Sequence, residues 1–224
     1  VMKVSHSFEH LDPSKVGNER EFIISDQAGG ALIVGRLAQI FPDLDKRNPR
    51  VKAILNEVKA KETLGYYFET AAASFELIAR RSLAGYQDPF EVLSYRVIEE
   101  SNSEGVLRSE ATVKLLFEDQ VLYRVAEGDG PVNALDAAFR IALSERLSYV
   151  NEVNLKDYKV RVLDSEEGTA AKVRVWISFS DGETSWNTAG VSENIIEASW
   201  TALMDGFNYK MMKEASDSKG KSDV

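Results

Sequence analysis

Apolar residues recur with a helical period over the first third of the chain. Between Val51 and Val58 they fall at i, i+3, i+4 and i+7, which predicts a helix with one buried side. A second stripe predicts another helix that ends at Gly85, with apolar positions at Leu64, Phe68, Ala71, Phe75 and Ile78. Together with a helix predicted over 31–40, these patterns indicate a small, mainly helical linker subdomain at 31–88.

Beyond Pro89 the apolar period changes to that of a strand. Alternating runs predict strands over 90–99, 107–117 and 120–126, followed by a helix over 131–147. A second group of three strands and a helix is predicted near 156–164, 169–179, 184–190 and 193–213. Hairpin turns are predicted at Glu118-Asp119 and at Asp181-Gly182.

Two stretches about sixty residues apart share one sequence pattern. Asn133-Ala-Leu-Asp-Ala-Ala-Phe139 and Asn194-Ile-Ile-Glu-Ala-Ser-Trp200 both run Asn, any residue, Leu or Ile, an acid, Ala, a small residue and a large aromatic. Each stretch follows predicted strands. The repetition predicts two βββα units, at 89–150 and 151–214, and a duplicated unit of this kind is typical of binding or assembly.

The predicted fold class is therefore α+β. A C-terminal domain of two repeated βββα units at 89–214 follows the helical linker subdomain. Residues 1–30 show no clear period, which predicts an extended arm or linker. The polar residues at 215–224 predict a disordered tail.

Composition excludes several classes of function. The chain has 224 residues and a formal net charge of −9, so it lacks the positive charge that nucleic-acid phosphates require. No run approaches the roughly twenty apolar residues of a membrane span. Cysteine is absent, which excludes disulfides and thiolate metal sites and is consistent with a cytoplasmic location. We predict no nucleic-acid partner and no membrane association.

Histidine occurs only at His6 and His10. Their i, i+4 spacing would suit zinc on a helix, but the surrounding residues show no helical period and Pro13 follows closely. No nucleophile motif accompanies them. We predict no catalytic residue and no metal site in the chain. An enzyme that uses His6, His10 and Glu9 is the last of three hypotheses.

Candidate binding chemistry is concentrated at the start of the first repeat helix, in Gly128-Asp-Gly-Pro-Val-Asn133. Pro131 suits the first helical position, and the glycines let a ligand approach the backbone. Free N–H groups and the positive end of the helix dipole attract a carboxylate. Asp129 disfavours a polyanion, so a small zwitterion fits better than a phosphate. The alternative is a tight strand-to-helix turn without a ligand.

The start of the second repeat helix has a structural explanation. Ser192 is its predicted N-cap, and Glu193 is predicted to lie in its first turn. From the residues alone, the apolar side chains at the two helix starts are predicted to be core rather than pocket: Val132, Leu135, Ile195 and Ile196.

Separate blocks along the chain carry a family resemblance. In the repeat domain they are Ala126-Glu-Gly-Asp-Gly-Pro-Val-Asn-Ala-Leu-Asp-Ala-Ala-Phe139, Asp157-Tyr-Lys-Val-Arg-Val-Leu-Asp164, Gly168-Thr-Ala-Ala-Lys-Val-Arg-Val175 and Gly190-Val-Ser-Glu-Asn-Ile-Ile-Glu-Ala-Ser-Trp200. Upstream they are Phe8-Glu-His-Leu-Asp-Pro13, Val16-Gly-Asn-Glu-Arg20 and Phe68-Glu-Thr-Ala-Ala-Ala-Ser-Phe-Glu-Leu-Ile-Ala-Arg-Arg81. In this order they resemble the C-terminal region of the 2-isopropylmalate synthase and citramalate synthase family. The upstream blocks resemble its citramalate branch.

The resemblance implies that this chain is the linker and regulatory part of a larger enzyme. Family enzymes condense acetyl-CoA with a 2-oxo acid, pyruvate for citramalate, at a divalent metal in an N-terminal (β/α)₈ barrel. The chain has no room for that barrel, so it should not catalyse the condensation, and neither metal nor acetyl-CoA is expected in it. The family's C-terminal domain dimerises and binds the end-product amino acid, which inhibits the barrel.

The resemblance also carries over candidate effector-binding residues. They are Gly128, Asp129, Gly130, Val132 and Asn133 at the turn and helix start, Asp157 and Tyr158 on the next strand, and Ala170 and Ala171 on its neighbour. Asp129 or Asp157 would take the ammonium group of the amino acid. The family more often has Asn where Asp129 stands, so Asp129 either binds that group or repels the carboxylate. His6 and His10 could support the active site of a neighbouring protomer.

Three hypotheses follow. The first is a regulatory domain that binds a branched-chain amino acid, isoleucine by the citramalate-like blocks and leucine as the alternative, and acts on the barrel through linkage. The second is a dimerisation scaffold without an effector site. The third is the histidine-dependent enzyme. Binding of free amino acids separates the first from the second.

Overall fold

The computed structural model describes residues 30–42, 44, 48–83 and 85–220. Except for Gly30, the arm predicted at 1–30 lies outside the described residues, and so do both histidines and residues 221–224.

Three helices form the linker subdomain: α1 (Gly30–Ile40), α2 (Pro49–Leu64) and α3 (Ala72–Leu83). The side chain of Asn48 caps α2 by accepting a hydrogen bond from Arg50 N at 3.0 Å, and Pro49 takes the first helical position. The buried residues of this region form one small core, which includes Ile54 and Phe75.

The second helix predicted from the apolar stripe is interrupted. Gly65 ends α2 with a φ of 112°, a left-handed conformation that favours glycine, and α3 begins only at Ala72. The stripe therefore belongs to two helices and the turn between them. Phe68 and Ala71, within that turn, are fully buried. Because the turn packs into the same core as the helices, its apolar residues continue the helical period without helical backbone.

The repeat domain consists of two βββα units, as predicted. The first comprises β1 (Phe90–Ser101), β2 (Leu107–Phe117), β3 (Gln120–Gly128) and α4 (Pro131–Leu143); the second comprises β4 (Asn154–Val162), β5 (Val173–Ser180), β6 (Ser185–Ser192) and α5 (Ile195–Gly220). Each set of strands is an antiparallel sheet in chain order, sheet A (β1–β3) and sheet B (β4–β6). Their registers shift at matching places, between Val92 and Ser94 and between Leu155 and Asp157.

Both predicted hairpin turns are present. Glu118 and Asp119 have φ of 48° and 62°, which is the left-handed geometry of a two-residue hairpin loop. In the other turn, Gly182 has a φ of 94°, and the carboxylate of Asp181 accepts hydrogen bonds from the backbone N–H groups of Glu183 and Thr184. The second turn has glycine at its positive φ, whereas the first places two non-glycine residues in that conformation.

Several predicted boundaries are wrong, and four of them concern α4, β5 and α5. Helix α4 ends at Leu143 rather than 147, because its last turn tightens and Arg146 N bonds to the carbonyl three residues back. Strand β5 begins at Val173 rather than 169: residues 165–170 are a 3₁₀ turn with Gly168 at a φ of 62°. Helix α5 begins at Ile195 rather than 193, and it continues to Gly220, so residues 215–220 are helical where a tail was predicted. Once a helix exists, each added residue forms a hydrogen bond without a new nucleation cost.

The two repeat helices share one core. Helix α4 packs on β2 and β3, and α5 packs on β5 and β6. The rings of Phe139 on α4 and Phe207 on α5 lie 4.6 Å apart between centroids, and Trp200 on α5 lies 5.2 Å from Tyr95 on β1. Each unit therefore contributes to the core of the other, and the two form a single domain around these aromatic residues.

The outer faces of the two sheets differ. The face of sheet B that is turned away from α5 is covered by the linker subdomain, with Ala189 on β6 buried in the core of that subdomain. The corresponding face of sheet A carries Val121, Tyr123 and Val125, each about half exposed. Within the described residues, no element covers that face.

Candidate functional site

The predicted glycine turn lies between β3 and α4. A Cβ on Gly128 would lie 2.4 Å from the backbone nitrogen of Ala134, so only glycine fits there without movement of the helix start. The side chain of Asn133 turns back and accepts a hydrogen bond from Asp129 N at 3.1 Å. Gly130 is extended, and a Cβ on it would meet open space. The turn is closed by Asn133, while the backbone at Gly130 stays accessible.

The N-terminus of α4 has no side-chain cap. Gly130 stands at the N-cap position and Pro131 follows it at the first helical position. Because the first N–H groups of a helix have no partner within the helix, those of Val132 and Asn133 remain available. Together with the positive end of the helix dipole, they favour an anionic group.

The N-terminus of α5 is capped by its own sequence. The side chain of Asn194 accepts hydrogen bonds from Ile196 N at 2.8 Å and Glu197 N at 3.4 Å. The predicted cap, Ser192, instead accepts a hydrogen bond from Asn194 N, because it lies three residues before the helix. The Ser192 hydroxyl also donates to Glu197. The two repeats have thus diverged: a side chain caps the start of α5, whereas the start of α4 has no side-chain cap.

A cavity of about 360 Å³ opens beside the uncapped helix start. Its wall is formed on one side by α4 and on the other by β4, with the lining residues Gly130, Pro131, Val132, Asn133, Asp136, Leu155 and Tyr158. The volume lies at the small end of the range for ligand sites. Most of the wall is apolar, and the polar groups are concentrated on α4.

Four of the predicted effector-binding residues meet in this cavity: Gly130, Val132, Asn133 and Tyr158. Gly128 and Asp129 belong to the turn that holds the helix start in place. Val132 was also predicted, from its apolar character alone, to be core. It lines the cavity instead, while Ile195, predicted as core too, is 46% exposed.

The other three predicted residues lie apart from the cavity wall. Asp157 is partly exposed and pairs with Lys159, whose hydrogen bond lowers the pKa of the Asp157 carboxyl. Ala170 ends the 3₁₀ turn and Ala171 follows it, so neither lies on the strand to which they were predicted to belong. Neither contributes to the cavity. The left-handed Gly168 delays the start of β5 and displaces both alanines.

Asp136 is a cavity residue that the sequence reasoning missed. Its Oδ2 atom accepts a hydrogen bond from Arg140 Nε at 2.8 Å, and Arg140 also donates to the carbonyl of Val150 at 2.9 Å. Its Oδ1 atom is buried and has no hydrogen-bond partner. In the sequence, Asp136 and Arg140 have the i, i+4 spacing of an ordinary helix ion pair. Only the fold shows that Asp136 lines a cavity and that one of its oxygens is buried without a partner.

Tyr158 connects the cavity to α5. Its hydroxyl lies 2.7 Å from Ser199 Oγ, and Ser199 donates its own proton to the carbonyl of Ile195 at 2.6 Å. Tyr158 is therefore the donor to Ser199. This bond fixes the phenol ring as one wall of the cavity and ties β4 to the N-terminal half of α5.

A second polar cluster surrounds Lys210 on α5. Its amino group pairs with Asp181 at 2.9 Å, Glu214 at 2.7 Å and Glu152 at 3.4 Å. Burial disfavours the charged amine, but hydrogen bonds to Glu214 and Asp181 outweigh it and raise the pKa of Lys210. The cluster ties the β5–β6 turn to the C-terminal half of α5, which is a structural role.

No group of three or more potential metal-binding side chains occurs within the part of the chain that the structure describes. Among the same residues, no helix is both long enough and apolar enough to cross a membrane. Glu9, His6 and His10 are outside the described ranges, so the histidine hypothesis is untested.

Comparison with known families gives a match over most of the repeat domain and α3. Residues 69–211 match the LeuA allosteric (dimerisation) domain. The predicted resemblance to the 2-isopropylmalate synthase and citramalate synthase family is confirmed by this match and by the relatives of the chain.

Curated relatives extend the similarity to nearly the whole chain. The (R)-citramalate synthase of Aquifex aeolicus (strain VF5) is 41% identical over 218 residues, which is 97% of this chain and 41% of that protein. The (R)-citramalate synthase of Geobacter sulfurreducens is 41% identical over 214 residues, 95% of this chain and 40% of that protein. The enzyme of the same name from Streptomyces coelicolor is 42% identical over 207 residues, 92% of this chain and 39% of that protein. The chain spans about two fifths of the length of these relatives.

Proposed function

The chain belongs to the LeuA allosteric (dimerisation) domain family, and on that premise we propose that it binds a branched-chain amino acid as a feedback effector. It would be the regulatory part of a citramalate synthase-like enzyme that condenses acetyl-CoA with pyruvate. Isoleucine is the proposed effector, because the similar proteins carry the name (R)-citramalate synthase. Leucine remains the alternative effector, as in a 2-isopropylmalate synthase.

The cavity between α4 and β4 is the observation that supports this proposal. Its polar groups suit the two charged ends of an amino acid: the N–H groups at the start of α4 suit the carboxylate, and the carboxylate of Asp136 suits the ammonium group. From Val132 to Asp136 the helix rises by about 6 Å. A single zwitterion can bridge that span.

The apolar wall suits the aliphatic side chain. Leu155 and Tyr158 from β4 line the cavity with Val132 on α4, so a branched chain that enters the cavity loses part of its contact with water. One methyl position in such a pocket changes the binding free energy by about 1–3 kcal/mol, which is the range that separates isoleucine from leucine. Asp136 thus replaces Asp129 and Asp157 as the residue proposed to bind the ammonium group.

The remaining parts of the proposal concern the parent enzyme. We place the divalent metal and acetyl-CoA in a catalytic barrel outside this chain, and we place the enzyme in the cytoplasm. The chain itself would act as a homodimer, as the family's name suggests. Effector binding would inhibit the barrel by favouring one arrangement of the assembly.

Calorimetric titration of the purified chain tests the proposal. We expect saturable heat with isoleucine, weaker or no heat with leucine and valine, and none with pyruvate, which lacks an ammonium group. Gly130→Trp should abolish binding without unfolding the chain, because the extended backbone at Gly130 accepts any residue and its Cβ faces open space.

The control is Gly105→Trp, which changes an exposed loop far from the cavity in sequence. A folded, dimeric chain that gives no heat with any branched-chain amino acid would refute effector binding. That result would favour the alternative of a dimerisation scaffold, which the family's name also supports.

A further inference from the structure

Sheet B lies between the cavity and the linker subdomain. One face of its edge strand β4 contributes Leu155 and Tyr158 to the cavity. The opposite face of the sheet holds the α2–α3 turn, because Arg174 donates to the carbonyl of Gly65 and Trp176 Nε1 donates to the carbonyl of Thr70. A change in the position of β4 can therefore reach the linker subdomain through one layer of structure.

Neighbouring residues of β4 connect the two faces. Tyr158 faces the cavity, whereas Asp157 and Lys159 are on the other side of the strand, because side chains alternate. The amino group of Lys159 lies 4.9 Å from the ring centre of Trp176, the residue that holds Thr70. A ligand that displaces Tyr158 must move its backbone neighbours as well, and those neighbours contact the anchor of the linker turn.

Helix α5 provides a second connection. Its Ser199 accepts the hydrogen bond from Tyr158, and its Asp205, less than two turns further on, accepts one from Ser74 on α3 at 2.7 Å. Ser74 is almost fully buried and also accepts a hydrogen bond from Ala189 N on β6. Arg81 on α3 lies 3.5 Å from Asp205 and forms a two-point ion pair with Asp88.

The contact between α3 and α5 is therefore polar at its centre. Burial raises the pKa of the Asp205 carboxyl, with Arg81 and Ser74 acting in the opposite direction. Further along, Tyr209 on α5 donates to Glu76 on α3 at 3.1 Å. Directional hydrogen bonds fix the relative position of two elements more closely than apolar contacts do, because they weaken steeply when their geometry changes.

We propose that Trp176 and Asp205 are positioning residues that couple the cavity between α4 and β4 to the docking of the α2–α3 turn and α3 on sheet B. The inference rests on the proposed effector function. It names the residues through which effector binding would change the packing of the linker subdomain. Neither residue lines the cavity. Trp176 donates a hydrogen bond to the α2–α3 turn, Asp205 accepts one from α3, and both are linked to Tyr158 through β4 or α5. Coupling between two sites typically changes an equilibrium by about 5- to 150-fold.

Hydrogen exchange of the full chain, with and without saturating isoleucine, tests the coupling. In the unmodified chain we expect isoleucine to change the exchange rates of 65–71 and of α3 by about fivefold or more. In the double variant Trp176→Phe/Asp205→Asn, the change in those two segments should be lost while calorimetry still detects isoleucine binding. Tyr123→Phe, on the uncovered face of sheet A, is the matched control and should retain the full change.

The outcomes separate the two proposals. Isoleucine binding with unchanged exchange in 65–71 and α3 of the unmodified chain would overturn the coupling and leave the effector site intact. Retention of the full change in the double variant would overturn the roles of Trp176 and Asp205. No binding to the unmodified chain would refute the effector function, and the inference with it. Exchange in α4, measured in the same samples, shows whether each variant is folded.

Discussion

At the scale of single residues, the environment of a side chain determines its role more than its identity does. Asp129, Asp136 and Asp157 are three aspartates within or next to the same pair of elements. Asp157 is partly exposed and paired with Lys159, and Asp129 is exposed in the turn. Asp136 pairs with Arg140 through one oxygen, and its other oxygen is buried without a partner. A buried carboxylate oxygen without a hydrogen bond is costly, so it gains most from a cationic ligand.

Asp136→Asn should weaken isoleucine binding by about tenfold or more, about 1.4 kcal/mol, because the amide cannot pair with an ammonium charge. Calorimetry of the variant measures the change. Asp157→Asn and Asp129→Asn are the matched controls and should bind within about twofold of the unmodified chain. Equal losses in all three variants would indicate a general effect of negative charge and would contradict the specific role of Asp136.

At the scale of elements, the α2–α3 turn is one of the places where the linker subdomain contacts the repeat domain. A Cβ on Gly65 would lie 2.2 Å from Leu163 Cδ1, in the loop between β4 and β5. Gly65 therefore has two roles. It adopts the left-handed conformation that ends α2, and it leaves room for the β4–β5 loop to approach closely. A helix end in solvent would need only the first.

Gly65→Ala should lower the free energy of unfolding by about 1–3 kcal/mol, because alanine is strained at a φ of 112° and collides with Leu163. Urea denaturation measures the loss. The control is Gly105→Ala: Gly105 has a φ of 78° and open space around its Cβ, so that variant should show only the backbone part of the cost. If both variants lose the same free energy of unfolding, the collision with Leu163 adds nothing to the cost of Gly65→Ala.

At the scale of the whole molecule, two surfaces each carry more than one exposed apolar residue. One is the outer face of sheet A, which carries Val121, Tyr123 and Val125. The other is the free edge of sheet B, where Val160 and Val162 on β4 are 41% and 51% exposed. Val160 and Val162 pair with the inward-facing Val175 and Val173, so they continue the core of the domain out to its edge.

We expect the chain to be a homodimer that buries the β4 edge, because this surface is continuous with both the core and the cavity. Val160→Glu should shift sedimentation equilibrium from dimer towards monomer. Val121→Glu, on the outer face of sheet A, is the control and should leave the dimer intact. The reverse pattern would place the interface on sheet A instead.

The repeated motif and the apolar patterns before each copy were sufficient to predict the architecture. In each unit, the period of the apolar residues indicates the strands and the helix. The stripe that crosses Gly65 was assigned to one helix because periodicity records which residues are buried, and a turn that packs into a core is buried like a helix. The alanines at 170 and 171 were assigned to a strand, although Ala170 is exposed at the end of a 3₁₀ turn. A left-handed glycine interrupts the element in both cases.

The sequence alone determined the family resemblance, the two βββα units and the glycine turn with its helix start, since these depend on residues close together in the chain. The tertiary structure decided which of those residues share a cavity, because Tyr158 and Leu155 reach α4 only through the packing of the second unit on the first. It also decided that Asp136 has a buried oxygen without a partner and that Asp157 pairs with Lys159. The local sequence pattern determines where an element forms. The charge partners and the exposure of a side chain depend on segments that are distant in sequence.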